Sequence, residues 1–213
     1  MIIKVCGLRE PDNIREVAAI QGIDLIGLIF YERSPRYIDS KETVATIVSL
    51  KRMKIVGVFV NETSDEVIRK CADYQLSHIQ LHGNETPEYL NLLRKRIPSN
   101  TKIIKAFSIH STEDLKITKE YNGLCEYFLF DTATSGYGGS GQSFDWSILL
   151  NYKGLTPFLL SGGIGPDSVG SLLNFQHQML AGLDLNSRFE LLPGLKNISL
   201  LSEFVQKIKS TRL

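Results

Sequence analysis

Two side chains in this sequence could carry protons in a reaction. Cys6 ends a short apolar segment near the N-terminus and is followed by Gly7, and Asp131 closes the apolar stretch Phe-Leu-Phe-Asp. A thiolate can act as a general base, and a carboxyl group can act as a general acid. Cys6 could instead be a small buried hydrophobic residue, and Asp131 could cap the loop that follows it. Residue type and position leave both interpretations open.

Two segments that contain glycine and serine could bind an anion. Ser161-Gly162-Gly163-Ile164 follows one apolar segment, and Asn186-Ser187-Arg188 follows the next. Glycine lets backbone amides approach phosphate oxygens, and a helix that begins there adds a favourable dipole. We predict a phosphate site between these segments, with two ordinary turns as the alternative.

Arg36 and His82 are further candidates for contact with a substrate. Arg36 follows a proline, and an arginine held in this way can bind a carboxylate through two parallel hydrogen bonds. His82 directly follows an apolar segment and could be an acid, a base or a structural histidine. The other three histidines have no supporting pattern, and no cluster of histidines and carboxylates predicts a metal site.

The segment 132–143 is long and rich in glycine. It contains Gly136-Tyr137-Gly138-Gly139-Ser140-Gly141, which formally matches the dinucleotide-binding pattern G-x-G-x-x-G. That pattern requires glycines that open a helix directly and an acidic residue about 20 positions later, and neither condition is met. We therefore predict a loop that covers a substrate.

The elements around these candidates must position them. Apolar segments alternate with amphipathic ones at a repeat of roughly 27 residues, about the minimum for a strand–helix unit. An open doubly wound sheet is possible, but eight units in 213 residues favour one closed (β/α)8 barrel, a single domain over residues 1–213. All strand ends then face one mouth, where active sites are built. The predicted strands are Ile2–Val5, Leu25–Phe30, Lys54–Val60, Leu76–Leu81, Lys102–Phe107, Tyr127–Asp131, Thr156–Leu160 and Leu180–Leu185.

Composition argues against several classes of partner. With 24 basic and 23 acidic side chains, the chain has no net field that would attract nucleic acid or an anionic membrane. Lys4 interrupts the first apolar run, so no signal peptide is predicted, and no segment approaches the roughly 20 apolar residues of a membrane span. The three cysteines form neither a disulfide framework nor a zinc pattern, which favours the cytoplasm.

Several motifs together resemble the phosphoribosylanthranilate isomerase family. They run in order from residue 4 to residue 194, and none is decisive alone. The matching stretches are Lys4-Val5-Cys6-Gly7, Ser34-Pro35-Arg36-Tyr37, Gly57-Val58-Phe59-Val60-Asn61, Ile79-Gln80-Leu81-His82-Gly83, Asp131, Gly138-Gly139-Ser140-Gly141 with Phe144-Asp145-Trp146, Ser161-Gly162-Gly163-Ile164, and Leu183-Asp184 through Glu190 to Pro193-Gly194.

The resemblance implies an Amadori rearrangement of N-(5-phosphoribosyl)anthranilate in tryptophan biosynthesis, without a metal or organic cofactor. It implies that Asp131 is the general acid and Cys6 the general base. Because a thiol base must ionise, we expect the pKa of Cys6 to lie below its usual value of about 8.5. By the same resemblance Arg36 binds the anthranilate carboxylate. The other expected substrate contacts are His82, Gly139, Gly141, Gly162, Gly163, Asp184, Ser187 and Arg188.

Arg188 departs from the family pattern. The family commonly has Asp-Val-Ser-Ser-Gly-Val-Glu after the eighth strand, whereas residues 184–190 read Asp-Leu-Asn-Ser-Arg-Phe-Glu. Arginine thus replaces a small residue beside the expected phosphate. Its side chain either joins phosphate binding, which we favour, or turns outward to pair with Glu190 or another neighbour.

Two other kinds of function fit a phosphate-binding barrel. A phosphosugar epimerase would need metal-binding histidines and acids at strand ends, which are missing, and a lyase would need two catalytic carboxylates, which a cysteine on the first strand fits poorly. A non-catalytic ligand-binding barrel would not require Cys6 and Asp131 together. The expected partner is a small phosphorylated substrate, bound by a monomer or a homodimer.

Overall fold

The structure is a computed structural model that describes residues 1–131 and 146–211. The expected substrate contacts Gly139 and Gly141, and the whole of the predicted covering loop, lie outside the described residues. Within the described ranges, no helix combines the length and the apolar composition needed to cross a lipid bilayer.

Eight parallel strands close into a barrel in the order β1 to β8, with β1 paired to β8. The predicted (β/α)8 barrel is confirmed, and the open doubly wound sheet is excluded. A short antiparallel pair, β9 and β10, follows the barrel. The strands are β1 (Ile2–Cys6), β2 (Leu25–Ile29), β3 (Lys54–Phe59), β4 (His78–Leu81), β5 (Lys102–Ser108), β6 (Tyr127–Asp131), β7 (Phe158–Ser161), β8 (Leu180–Leu185), β9 (Glu190–Leu192) and β10 (Leu195–Lys196).

Helical segments follow the strands, but two of the longer ones are 3-10 helices. In these two, the backbone N–H of Leu115 donates to the carbonyl of Thr112 and that of Tyr152 to the carbonyl of Leu149, each three residues earlier. This spacing matches the hydrogen bonding of a 3-10 helix. The α-helices are α1 (Pro11–Ala19), α2 (Lys41–Ser49), α3 (Ser64–Asp73), α4 (Pro87–Arg94), α5 (Val169–Asn174) and α6 (Ile198–Thr211), and the 3-10 helices are Glu113–Tyr121, Trp146–Asn151, Pro166–Ser168 and Ser187–Phe189.

Alternation along the strands separates two layers of core. On β1, Ile3 and Val5 belong to the large cluster between the barrel and its helices. Lys4 is in register with Leu25, which belongs to a smaller buried cluster inside the barrel. Lys4 and Cys6 therefore face the barrel interior. The inner cluster consists of Leu25, Val56, Ile104, Ala106, Leu129 and Leu159.

Candidate active site

Inward-facing polar residues collect at the carboxyl ends of the strands. Cys6 ends β1, His82 directly follows β4, Asp131 ends β6 and Asp184 lies near the end of β8. His82 Nε2 lies 3.5 Å from Oδ2 of Asp131, and the Ser161 hydroxyl lies 3.4 Å from Oδ2 of Asp184. These candidates, far apart in sequence, thus share the face of the barrel where active sites are built.

Cys6 is buried, with 3% of its surface exposed. Its side chain lies against Gly27 of β2, where an added Cβ would come within 2.8 Å of Sγ. Burial raises the pKa of the Cys6 thiol above its ordinary value; Lys4 and Lys196 act in the opposite direction, and Asp184 adds to the increase. The expected lowering of this pKa is therefore wrong.

Lys4 is the charged neighbour of Cys6 that sequence reasoning missed. It lies two residues before Cys6 on β1, so both side chains face the barrel interior. Its fully buried ammonium group donates to Oδ1 of Asp184 at 2.8 Å. Burial lowers the pKa of Lys4, but Asp184 and Cys6 hold this pKa above its usual value. A lysine in phase with Cys6 on an apolar strand was the available signal.

Arg36 lies at the same mouth, but its guanidinium group already binds a carboxylate of the protein. Its Nε and Nη2 donate to Glu190 at 2.9 and 2.6 Å, which leaves Nη1 for a ligand. Lys196, which sequence reasoning also missed, donates to Glu190 at 2.6 Å and to Asn186 at 2.8 Å. Burial raises the pKa of Glu190, but hydrogen bonds from Arg36 and Lys196 hold this pKa below its usual range. Arg36 also lies against Gly7, close to Cys6.

The loops after β7 and β8 lie next to each other. Gly162 and Gly163 have φ of +83° and +67°, a left-handed conformation that glycine adopts without steric cost. A Cβ on Gly163 would meet no atom of the described residues within 4 Å. Arg188 of the second loop contacts Asp167 of the first, at 3.1 Å. The structure therefore brings the two predicted phosphate segments together.

Arg188 is 53% exposed and pairs with Asp167, which is the outward arrangement. The inward arrangement that the sequence favoured is not the one found here. Glu190, which was named as an outward partner, binds Arg36 and Lys196 instead. Ser187 begins the 3-10 helix beside Arg188 and is exposed at the mouth.

The histidines other than His82 make structural contacts or lie at the surface. Burial lowers the pKa of His78 to about 4, and its ring is hydrogen bonded to the Ser77 hydroxyl at 2.8 Å. The ring of His177 is hydrogen bonded to the carbonyl of Tyr152 at 3.1 Å. In the part of the chain that the structure describes, no three or more His, Cys, Asp and Glu side chains form a group that could hold a metal ion.

Comparison with known proteins identifies the family. Residues 3–207 match the family described as N-(5'-phosphoribosyl)anthranilate (PRA) isomerase. The chain belongs to this family. The N-(5'-phosphoribosyl)anthranilate isomerase of Parabacteroides distasonis is 53% identical over 210 residues, which cover 98% of this chain and 93% of that protein. The enzyme of the same name from Phocaeicola vulgatus is 47% identical over 209 residues, which cover 98% of each chain.

Solved structures of PRA isomerases have the same fold. The Thermotoga maritima structure has a TM-score of 0.83 at 30% identity and covers 99% of this chain and 100% of its own. The Thermus thermophilus structure has a TM-score of 0.83 at 25% identity and covers 100% of each chain. A third structure, solved in complex with reduced 1-(o-carboxyphenylamino)-1-deoxyribulose 5-phosphate, has a TM-score of 0.81 at 27% identity and covers 99% of this chain and 100% of its own.

Proposed function

We propose that this member of the PRA isomerase family catalyses the Amadori rearrangement of N-(5-phosphoribosyl)anthranilate to 1-(2-carboxyphenylamino)-1-deoxyribulose 5-phosphate, the third step from chorismate in tryptophan biosynthesis. The observation that carries the proposal is that Cys6 and Asp131 end strands at one mouth of a barrel that matches this family over residues 3–207. Two proton carriers at one mouth suit a reaction that puts one proton on a ring oxygen and takes another from carbon.

In the proposed reaction Asp131 protonates the ribose ring oxygen, and the ring opens to a Schiff base. Cys6 then takes the proton from C2, and the resulting enolamine tautomerises to the product. We propose that Asp184 orients the substrate and also fixes Lys4, whose ammonium group it binds at 2.8 Å. Side chains alone suffice for both proton transfers, so the proposal includes neither a metal nor an organic cofactor.

Loss of the fluorescence of phosphoribosylanthranilate on addition of the purified protein tests the proposed activity. We expect enzymatic turnover of this substrate and no turnover of phosphosugars that lack the anthranilate group. A protein that binds the substrate without consuming it would instead be a non-catalytic ligand-binding barrel.

The raised pKa of Cys6 predicts the pH dependence of its alkylation. Only the thiolate reacts with an alkylating reagent, so the rate of Cys6 alkylation should keep rising with pH through and beyond the ordinary thiol range near about 8.5. Replacing Lys4 by methionine removes the ammonium group that opposes this shift and should move the rising limb further to alkaline pH. The measurement is the rate of Cys6 alkylation against pH.

The matched control for this prediction is Lys54→Met. Lys54 is exposed at the amino end of β3, on the side of the barrel away from the mouth. Its replacement should leave the alkylation profile in place. Identical profiles in the wild type and Lys4→Met would show that Lys4 does not act on Cys6.

We propose that Arg36 binds the anthranilate carboxylate through Nη1, because Nε and Nη2 are hydrogen bonded to Glu190. Loss of one charge-assisted pair costs about 1.5–3 kcal/mol, so Arg36→Met should weaken binding of a product analogue about ten- to a hundredfold. Calorimetry with analogues that have or lack the carboxylate separates recognition from the structural loss of the Glu190 pair. The variant should bind both analogues equally, and a variant that still prefers the carboxylated one would contradict the assignment.

We propose that the substrate phosphate binds between the loops after β7 and β8, near Gly162, Gly163, Ser187 and Arg188. Support comes from the lack of any described atom within 4 Å of a Cβ on Gly163 and from the contact between the two loops through Asp167. Backbone amides at this position are a common phosphate site in barrels of this type. The contacts proposed for Gly139 and Gly141 rest on the family pattern alone.

The pairing of Arg188 with Asp167 predicts that Arg188 contributes little to phosphate binding. Arg188→Gly should leave kcat and KM within about twofold of the wild type at low and high salt, because an exposed ion pair is worth little. It should lower the melting temperature slightly. Steady-state kinetics at two salt concentrations tests this, and a several-fold higher KM confined to low salt would place the side chain on the phosphate during binding.

We propose a cytoplasmic protein with a single barrel domain, whose partner is a small phosphorylated molecule rather than nucleic acid or a membrane. The near balance of 24 basic and 23 acidic side chains supports the proposal that neither nucleic acid nor a membrane is the partner. It functions as a monomer or a homodimer. A PRA isomerase of Thermotoga maritima, 27% identical to this chain, is described as dimeric.

A further inference from the structure

Gln80 lies beneath His82 inside the barrel. The two residues are two positions apart, at and just beyond the end of β4, so their side chains point to the same face. Gln80 is in register with Ile104 of the inner cluster, and only 1% of its surface is exposed. Its amide Nε2 lies 3.0 Å from Nδ1 of His82. A buried amide thus contacts the histidine that stands beside Asp131.

The contact with Gln80 indicates which nitrogen of the His82 ring carries the hydrogen. The amide nitrogen of Gln80 can only donate, so Nδ1, 3.0 Å away, accepts. A neutral imidazole has one N–H, which then lies on Nε2. Nε2 lies 3.5 Å from Oδ2 of Asp131.

The carbonyl oxygen of Gln80, Oε1, is buried and has no hydrogen-bond partner among the described residues. The described surroundings therefore give the amide one polar contact, the one between Nε2 and His82. The amide of Gln80 therefore acts mainly on the imidazole ring of His82.

The segment after His82 is held rigidly, which keeps the ring in place. The N–H of Gly83 donates to both oxygens of Glu85, at 3.2 and 3.0 Å. Lys105 binds the carbonyl of Gly83 at 2.8 Å and Glu85 at 3.1 Å, and both charged side chains are buried. The backbone next to His82 therefore has little freedom, and the remaining variable is which ring nitrogen carries the hydrogen.

We propose that Gln80 is a positioning residue that holds His82 in the tautomer with hydrogen on Nε2, so that a donor faces the carboxylate formed when Asp131 gives up its proton. The proposal rests on the proposed function for the role of Asp131. A donor aimed at the place where negative charge develops lowers the barrier of the step that forms that charge. Gln80 is buried and acts through the imidazole of His82.

Nitrogen-15 NMR of the imidazole rings tests the tautomer directly, since the chain has only four histidines. In the wild type we expect the His82 hydrogen on Nε2. Gln80→Glu replaces the donor by an acceptor and should bring a hydrogen to Nδ1. Gln80→Met removes the preference and should give a mixture of tautomers, and it serves as the second variant should the buried carboxylate prevent folding.

The same variants are compared by kinetics. Gln80→Glu should lower kcat at least about tenfold with KM nearly unchanged, since a histidine held in the wrong tautomer loses its function. Gln80→Met should fall between it and the wild type. The matched control is Ser77→Ala, which removes the hydroxyl 2.8 Å from His78 on the same strand. It should change the His78 signals and leave the His82 signals and kcat as they are.

Hydrogen on Nδ1 of His82 in the wild type would overturn the proposal, as would an unchanged tautomer in both Gln80 variants. A changed tautomer with normal kcat would overturn the link to Asp131. Failure of the proposed function is a separate result, because it would leave the wild type inactive towards phosphoribosylanthranilate while the NMR signals still report the contact between Gln80 and His82.

Discussion

Replacing Cys6 by alanine should lower kcat by at least about 100-fold while the barrel stays folded. Alanine keeps the Cβ and removes only Sγ, the atom that would take the proton from C2. Cys6 does not belong to the cluster between barrel and helices, so the outer core should remain unchanged. Steady-state kinetics at saturating substrate measures the effect, and thermal unfolding shows that the fold is retained.

Two further variants test whether Cys6 is the catalytic base or only fills space in the core. Cys71 is also buried, but it lies on α3 in the outer core, and its thiol donates to the carbonyl of Leu76. Cys71→Ala should therefore lower stability and leave kcat unchanged. Cys6→Ser fills the same space with a hydroxyl that hardly ionises, and it should be about as inactive as Cys6→Ala. A near-normal kcat in either Cys6 variant would assign the base to another group.

The strands were the most predictable part of the fold. A strand covered on both faces is apolar along its whole length, and this pattern identified all eight strands in order. The predicted starts at Leu76 and Thr156 were two residues early. Both residues are buried before their strands begin, so hydrophobicity alone could not show where the strand hydrogen bonds start.

The positions of the candidate site residues were predictable, but their partners were not. Cys6 and Asp131 end predicted strands, and a parallel barrel brings such ends together whatever the loops do. The contact between Arg36 and Glu190 joins residues 154 positions apart and depends on how β9 returns to the mouth. No local pattern encodes that return.

The direction of the Cys6 pKa shift could not be predicted for the same reason. A general base suggests an easily ionised thiol, but the complete burial of Cys6 acts in the other direction. The opposing charge of Lys4 was visible in the sequence through the alternation of β1. The balance between burial and this charge depends on the closed barrel.

Replacing Asp131 by asparagine should also lower kcat by at least about 100-fold, with KM changed little. Asparagine has nearly the same shape, and its amide oxygen can still accept a hydrogen bond from His82, which lies 3.5 Å from the carboxylate. What it lacks is a proton to give to the ribose ring oxygen. The fall in kcat therefore measures loss of the acid and not loss of the contact.

Asp24→Asn is the matched control for this substitution. Asp24 lies at the opposite end of the barrel, where it accepts hydrogen bonds from the N–H of Ile3 and from Lys209. Its replacement should lower the melting temperature and leave kcat unchanged. Near-normal turnover in Asp131→Asn would mean that another group protonates the ring oxygen. His82 is the nearest candidate, so adding His82→Asn would then abolish the remaining activity, whereas with Asp131 as the acid it should change the already low kcat little.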